Sequence, residues 1–180
     1  MTEVRKLIHK LEESFKDSIL GAGELLFFPF VHIEAPSLLK VLSFCKEDPS
    51  FQFNFLECIT AVDMDQEFLV IYQLSSLYDV GFASRKSFGD SKQRLNIKVA
   101  VNRYAASLPS VVKLWYSAFS YEREVAEMFG IFFDGHPNLS HLLLPEDWSG
   151  YPLRKDYKYP EVYQGIEHHR PPLRKEHSRP

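Results

Sequence analysis

The sequence predicts an α+β fold: a mainly antiparallel sheet of about four strands with helices packed on one face, followed by an extended C-terminal docking tail. Three observations carry that expectation. The elements run helix, strand, helix, three strands, helix. Two of the strand-like runs are joined by a hairpin signal. Beyond Phe132 the periodicity fades, and most of the eleven prolines fall at or after Pro137.

Leu7, Ile8, Leu11 and Phe15 are spaced for one face of a short amphipathic helix ending near Gly21. The run "GELLFFPFVHIEA" reads as one strand. Pro36 then opens a second short helix carrying Leu38, Leu39, Leu42 and Phe44. "FQFNFLECITAVDM" and "QEFLVIYQLSSL" read as strands joined through Asp63 to Gln66. In "RLNIKVAVNR" Leu95, Ile97, Val99 and Val101 alternate with Asn96, Lys98 and Asn102, a strand with one wet face. Leu108-Pro109-Ser110 starts the longest helix, which Gly130 closes. The remainder, to Pro180, has many tyrosines and a basic end, "HHRPPLRKEHSRP". Such a segment builds no core of its own, and "HLLLP", Trp148 and the tyrosines favour docking of its first half.

At 180 residues the chain is long enough for one good core, with a formal net charge of −3 that gives no global attraction to nucleic acid or anionic lipid. Cys45 and Cys58 form no CxxC pattern, so a disulfide framework is not expected and the chain lacks the thiolates for an iron–sulfur cluster. The apolar stretch Leu25 to Ile33 is too short to span a bilayer. The N-terminal "MTEVRKLIHKLEESFKD" has neither a signal-peptide core nor transit character, which points to the cytosol or a surface facing it.

The stretch "YEREVAEMFGIFFDGHP" concentrates charge on the last helix. Advancing about 100° per residue places Val111, Trp115, Ala118, Val125 and Phe129 on one stripe, with Glu122 in its middle. Arg123, Glu124 and Glu127 fall on the other side, where Arg123 and Glu127 are spaced for an exposed ion pair. Glu122 is either a rim carboxylate reaching water or a buried one that needs a cation or several donors. The nearest supply of cations is Arg154-Lys155 in "PLRKDY", so Glu122 is expected to anchor the tail through one of them.

Other chemistry is poorly supported. Gly21-Ala22-Gly23 lacks the third glycine of a dinucleotide loop and precedes a strand. His136 and His141 have no third ligand nearby, and His168-His169 reads as a solvated pair. Glu146-Asp147 and the acids from Glu122 to Glu127 have no evident pocket. Cys58 reads as packing, with no adjacent histidine. The basic end lacks the aromatic interleaving of a nucleic-acid groove. A binding or assembly module is the leading reading, with a small stand-alone enzyme or a free adaptor domain as rivals.

Two segments add a family resemblance. Glu122-Arg123-Glu124, Glu127-Met128-Phe129-Gly130-Ile131, Phe133 and Gly135-His136-Pro137, then Gly150 with Pro152-Leu153-Arg154-Lys155-Asp156-Tyr157, resemble the 30 kDa-type chain (the C subunit) of proton-pumping NADH:quinone oxidoreductase, respiratory complex I. Glu127 stands where that family usually has aspartate. After the Gly-His-Pro, Asn138, Ser140 and His141 replace the usual acid and two bases. The resemblance implies an α+β domain over 1–133 and a partner-packing tail over 134–180. It implies a hydrophilic peripheral-arm subunit with no catalytic residue, binding no flavin, iron–sulfur cluster or metal. FMN and the clusters would sit in other subunits of the complex. The quinone-site (D) subunit would be the main partner, with the B and I subunits nearby. Membrane association would be indirect, on the cytoplasmic side of a bacterial inner membrane. Equivalent subunits of plastid-type or archaeal relatives, or of energy-converting hydrogenases, share the resemblance.

Overall fold

The computed structural model describes residues 3–25, 28–49, 51–76 and 93–167. Helix α1 (Glu3–Ser14) and a 3-10 turn (Lys16–Ser18) lead into strand β1 (Ile19–Leu25) and strand β2 (Phe28–Ile33). A second 3-10 turn (Ala35–Ser37) opens helix α2 (Leu38–Glu47). Strands β3 (Phe55–Asp63), β4 (Glu67–Ser76) and β5 (Gln93–Asn102) follow. After a third 3-10 turn come β6 (Ser107–Pro109), helix α3 (Ala118–Phe129), β7 (Phe132–Asp134) and a small hairpin, β8 (Val162–Tyr163) with β9 (Ile166–Glu167).

The main sheet has five strands in the order β1-β2-β5-β4-β3, one more than expected. The extra strand comes from splitting "GELLFFPFVHIEA". Leu25 pairs with Phe28, so β1 and β2 form a tight antiparallel hairpin where one continuous strand was expected. The first helix stops at Ser14, well short of Gly21, which lies inside β1. Within this sheet the pairings are antiparallel except β2 with β5, between which α2 and the β3–β4 hairpin supply the long connection a parallel pair needs. The turn between β3 and β4 falls where expected, with Asp65 taking the left-handed backbone at φ 70°.

Strand alternation sorts the sheet into two faces. Val31 and Ile33, Ile97 and Val99, Val70 and Tyr72, and Ile59 and Ala61 share one face and are all buried. Leu7 and Leu11 of α1, Leu38, Val41, Leu42 and Cys45 of α2, and Val125 and Phe129 of α3 belong to the same core. On the opposite face Thr60 and Val62 are exposed and Leu69 and Ile71 half-buried. Burial pushes the Cys45 thiol up to about 12, so it is an inert part of the core, and both cysteines are free. Among the described residues no helix is long and apolar enough to cross a membrane.

The last helix begins later than its sequence period suggests. Residues 107–109 are a strand pairing in parallel with β7, turns cover 112–114, and α3 starts only at Ala118. Two side chains tie this lead-in to the loop before β3 and to the start of β3: the Trp115 indole donates to the Phe53 carbonyl (3.2 Å), and the Ser117 hydroxyl to that of Leu56 (3.4 Å). Gly130, at φ 72°, closes α3 as expected.

Candidate functional site

Glu122 is fully buried, yet no cation meets it among the described residues. Its carboxylate accepts from the Val111 N–H (2.7 Å) and the Ser110 hydroxyl (2.6 Å), one turn and more before α3 begins. The expected anchor to Arg154 or Lys155 is therefore absent. The helical wheel placed Glu122 inward correctly, but the Ser110 hydroxyl and the Val111 N–H arrive there first. Those bonds also explain the late helix start, because the carboxylate holds residues 110–111 outside the helix, just before the turn at 112–114. Burial pushes the Glu122 carboxyl up to about 6, outweighing the lowering effect of the Ser110 and Val111 bonds. The wholly buried Tyr72 hydroxyl has no hydrogen-bond partner among the described residues, and burial with the nearby Glu122 charge pushes it well above its ordinary value.

Arg123 and Glu127 do not pair with each other. Arg123 donates to the Ser140 carbonyl (3.0 Å), the Ser140 hydroxyl (3.0 Å) and the His141 carbonyl (2.8 Å). Glu127, expected on the solvated side, is buried at 5% exposure. It accepts backbone N–H bonds from Leu142 (2.8 Å), Leu143 (3.0 Å) and Leu144 (3.3 Å). A segment laid over α3 thus buries a face that periodicity alone reads as wet. Asn138 accepts from the Ser140 N–H, so this loop is held by its own Asx turn and by α3 rather than by ion pairs. His136 packs on Phe119 with centroids 5.1 Å apart. The Asn138 N–H donates to its Nδ1, so Nε2 carries the proton and donates to the Phe119 carbonyl. Glu124 is exposed and stands apart from these contacts, as does Pro137.

The segment from Gly150 to Tyr157 seals the end of α3. A helix leaves its last carbonyls unsatisfied. Here Leu153 N–H donates to the Met128 carbonyl (3.2 Å), and Arg154 Nε to that of Phe129 (2.6 Å). The guanidinium also suits the negative end of the helix dipole. It lies 4.3 Å over the Tyr151 ring and 5.1 Å over Phe68. Gly130 is required twice. Its backbone is left-handed, and a Cβ there would meet Tyr151 and Arg154 at 2.5 Å. Gly150, at φ 81°, leaves room for the Tyr157 ring 2.8 Å from where its Cβ would be, while the Tyr157 hydroxyl donates to the Ser149 carbonyl. Gly135, at φ 79°, faces open space, and Pro152 is half-buried between Tyr151 and Leu153 in sequence.

Two residues outside the motifs complete the arrangement. Asp63, at the end of β3, and Arg103, just after β5, form a buried ion pair. Asp63 also accepts from the Lys155 N–H (2.9 Å), and Arg103 reaches Asp156 (2.5 Å). Lys155 Nζ pairs with Asp65 at 3.2 Å, both exposed. Burial pushes the Asp63 carboxyl up, but bonds from Arg103, Lys155 and Asp65 outweigh it and hold it at about 2. Sequence reasoning missed this pair. Its one signal is a charged residue at each end of the hydrophobic runs, Asp63 closing one strand and Arg103 the other. The arrangement as a whole is a clasp: carboxylates of α3 and the sheet rim hold backbone.

Residues 31–164 match the family model described as "Respiratory-chain NADH dehydrogenase, 30 Kd subunit". The chain belongs to this family. Curated relatives of this 30 kDa family chain include the NADH-quinone oxidoreductase C subunit of Roseiflexus sp., 37% identical, covering 83% of this chain and 81% of the relative. The protein of the same name from Chlorobium phaeobacteroides is 34% identical and covers 87% and 90%. Against its Chloroherpeton thalassium counterpart, also 34% identical over 87% of the chain, the match spans only 62% of the longer relative. Among solved structures, the trypsin-resistant fragment (1-134) of Nqo5 superposes with a TM-score of 0.60 and 27% identity, over 77% of this chain and all of the fragment. A chain of an archaeal membrane-bound sulfane sulfur reductase shares the fold, with a TM-score of 0.68 at 21% identity over 87% of this chain and 86% of that one.

Proposed function

We propose that the chain is a non-catalytic, hydrophilic subunit of the peripheral arm of an NADH:quinone oxidoreductase, supporting the quinone-site subunit rather than performing a chemical step. The observation that carries this reading is how the family-motif charges are used. Glu122, Arg123, Glu127, Arg154 and Asp156 each bond to this chain's own backbone or to a structural side chain. A catalytic carboxylate needs a cavity and a reacting partner. These instead fix the shape of a surface.

In this reading residues 1–133 are the α+β body and 134–180 the segment that packs on a partner, residues 168–180 lying outside those described. The quinone-site (D) subunit is the main partner, with the B and I subunits close by. Flavin, iron–sulfur clusters and NADH belong to other subunits, and the chain itself binds no cofactor. It reaches the membrane through the complex, on the cytoplasmic side of the inner membrane. Exposed apolar side chains on the clasp support an interface, among them Phe132 (56% exposed), Leu143 (61%) and Leu153 (53%). Purification of the affinity-tagged full chain from its native membranes tests the proposal. NADH:quinone activity, flavin and iron should co-purify with it. Recovery of a monomer free of flavin and iron overturns it.

A further inference from the structure

A second feature of the segment after Pro137 lies beside the clasp and shares Tyr157 with it. Trp148 is surrounded by tyrosines: Tyr163 meets it edge-on at 5.1 Å, Tyr157 lies nearly parallel at 6.5 Å with planes 24° apart, and Tyr159 approaches at 77°. Trp148, Tyr157 and Tyr163 line a cleft of about 250 Å³ together with Asp147 and Lys158. The Trp148 Nε1–H is buried and has no hydrogen-bond partner among the described residues. Leaving a buried donor of this kind unpaired is costly unless an acceptor is supplied. Asp147 accepts from the Tyr163 hydroxyl at 2.8 Å, a bond that overcomes slight desolvation and holds its carboxyl below the ordinary value.

Aromatic faces carry negative potential, and an ionised carboxylate beside them adds to it. The chain uses the same mode internally, where the Arg154 guanidinium lies over Tyr151 and Phe68. Among the described residues no guanidinium or ammonium lies over Trp148, Tyr157 or Tyr163. The rim of the cleft is continuous with the β8–β9 hairpin, whose Val162 and Ile166 are 54% and 65% exposed. Tryptophan, tyrosine and arginine are the residues that anchor protein interfaces.

We propose that this aromatic cleft seats the guanidinium of an arginine from a neighbouring subunit, with Asp147 as its counter-ion and the Trp148 indole donating to a carbonyl beside that arginine. It rests on the assembly reading above. A planar guanidinium stacks on rings and forks onto a carboxylate, which a compact ammonium does less well. Lys158 opposes any cation in the cleft, which gives the proposal a sign of its own.

The test is titration of the full chain with N-acetyl-arginine methylamide, read by the Trp148 indole N–H signal in NMR. Trp148→Phe assigns that signal, and buried Trp115 serves as internal control. A saturable shift is expected, with binding weakened about tenfold by Asp147→Asn. Lys158→Gln should tighten it, and the neutral citrulline analogue should bind at least tenfold more weakly. Absence of a saturable shift, equal binding of the citrulline analogue, or weakening by Lys158→Gln each overturns the proposal. The probe needs no partner subunit, so failure of the assembly reading shows separately, as loss of co-purification with the unmodified chain.

Discussion

At the scale of single residues, the buried acid of α3 is stabilised by neutral donors and not by a counter-ion. A carboxylate shielded from water and served by one N–H and one O–H keeps a raised pKa. The sign of its effect on stability follows. The native state holds the Glu122 proton more tightly than the unfolded chain, whose carboxyl titrates near 4.5. Its contribution is fully present below that value and is lost as pH rises through about 6. The loss amounts to about 2 kcal/mol. Glu122→Gln keeps an acceptor for the Val111 N–H and offers donors to Ser110. It is expected to fold, to match or exceed the parent in stability at pH 7, and to flatten the stability profile between pH 4.5 and 6. Urea unfolding across that range checks it, and an unchanged slope would refute the assignment.

Elements show where local pattern suffices and where it does not. The last helix ends where glycine and the loss of apolar period say it ends, and there the segment after Gly150 closes over it. Gly130→Ala should cost about 1–2 kcal/mol for the left-handed backbone alone. It should cost more in total, because the added methyl meets Tyr151 and Arg154. Gly135→Ala has the same backbone demand and open space, so it isolates the first contribution. Chemical denaturation of both variants gives the difference, and equal losses would show that Tyr151 and Arg154 yield freely. The β3–β4 hairpin was legible because period-two runs flank a polar turn. The β1–β2 hairpin was hidden, because the run from Leu25 to Phe28 contains no glycine, asparagine or aspartate to mark a reversal. The start of α3 was hidden too, since the group that displaces it lies eleven residues downstream of Val111. In the same way the motif residues of the site could be named from sequence, but not paired. A helical wheel gives the direction of Glu127, not the loop that comes to cover it.

Across the whole molecule, the body and its long C-terminal segment are joined by contacts remote in sequence. Arg103 lies 40 residues from Asp63 and 53 from Asp156, and Lys155 lies 92 from Asp63. No local pattern reports such pairs, which is why Asp63 and Arg103 escaped notice. Asp63, unlike Glu122, has a depressed pKa. Its stabilisation is present above the ordinary 3.8 and is lost as pH falls through about 2. That stabilisation is about 2 kcal/mol. Asp63→Asn leaves Arg103 buried without its main partner, a change that typically costs about 3–5 kcal/mol near neutrality. The gap between parent and variant should narrow as pH drops from 4 to 2. Thermal unfolding at matched ionic strength would expose the error if the gap stayed constant.

The bonds from Glu127 have a different kind of consequence. They end on the amide groups of Leu142, Leu143 and Leu144, which every amino acid except proline supplies. The acid therefore dictates the path of this loop without dictating its spelling. Two of the three leucines remain exposed, Leu142 at 39% and Leu143 at 61%. Within one constant frame those two exposed positions admit any residue that carries an N–H, and proline alone is barred.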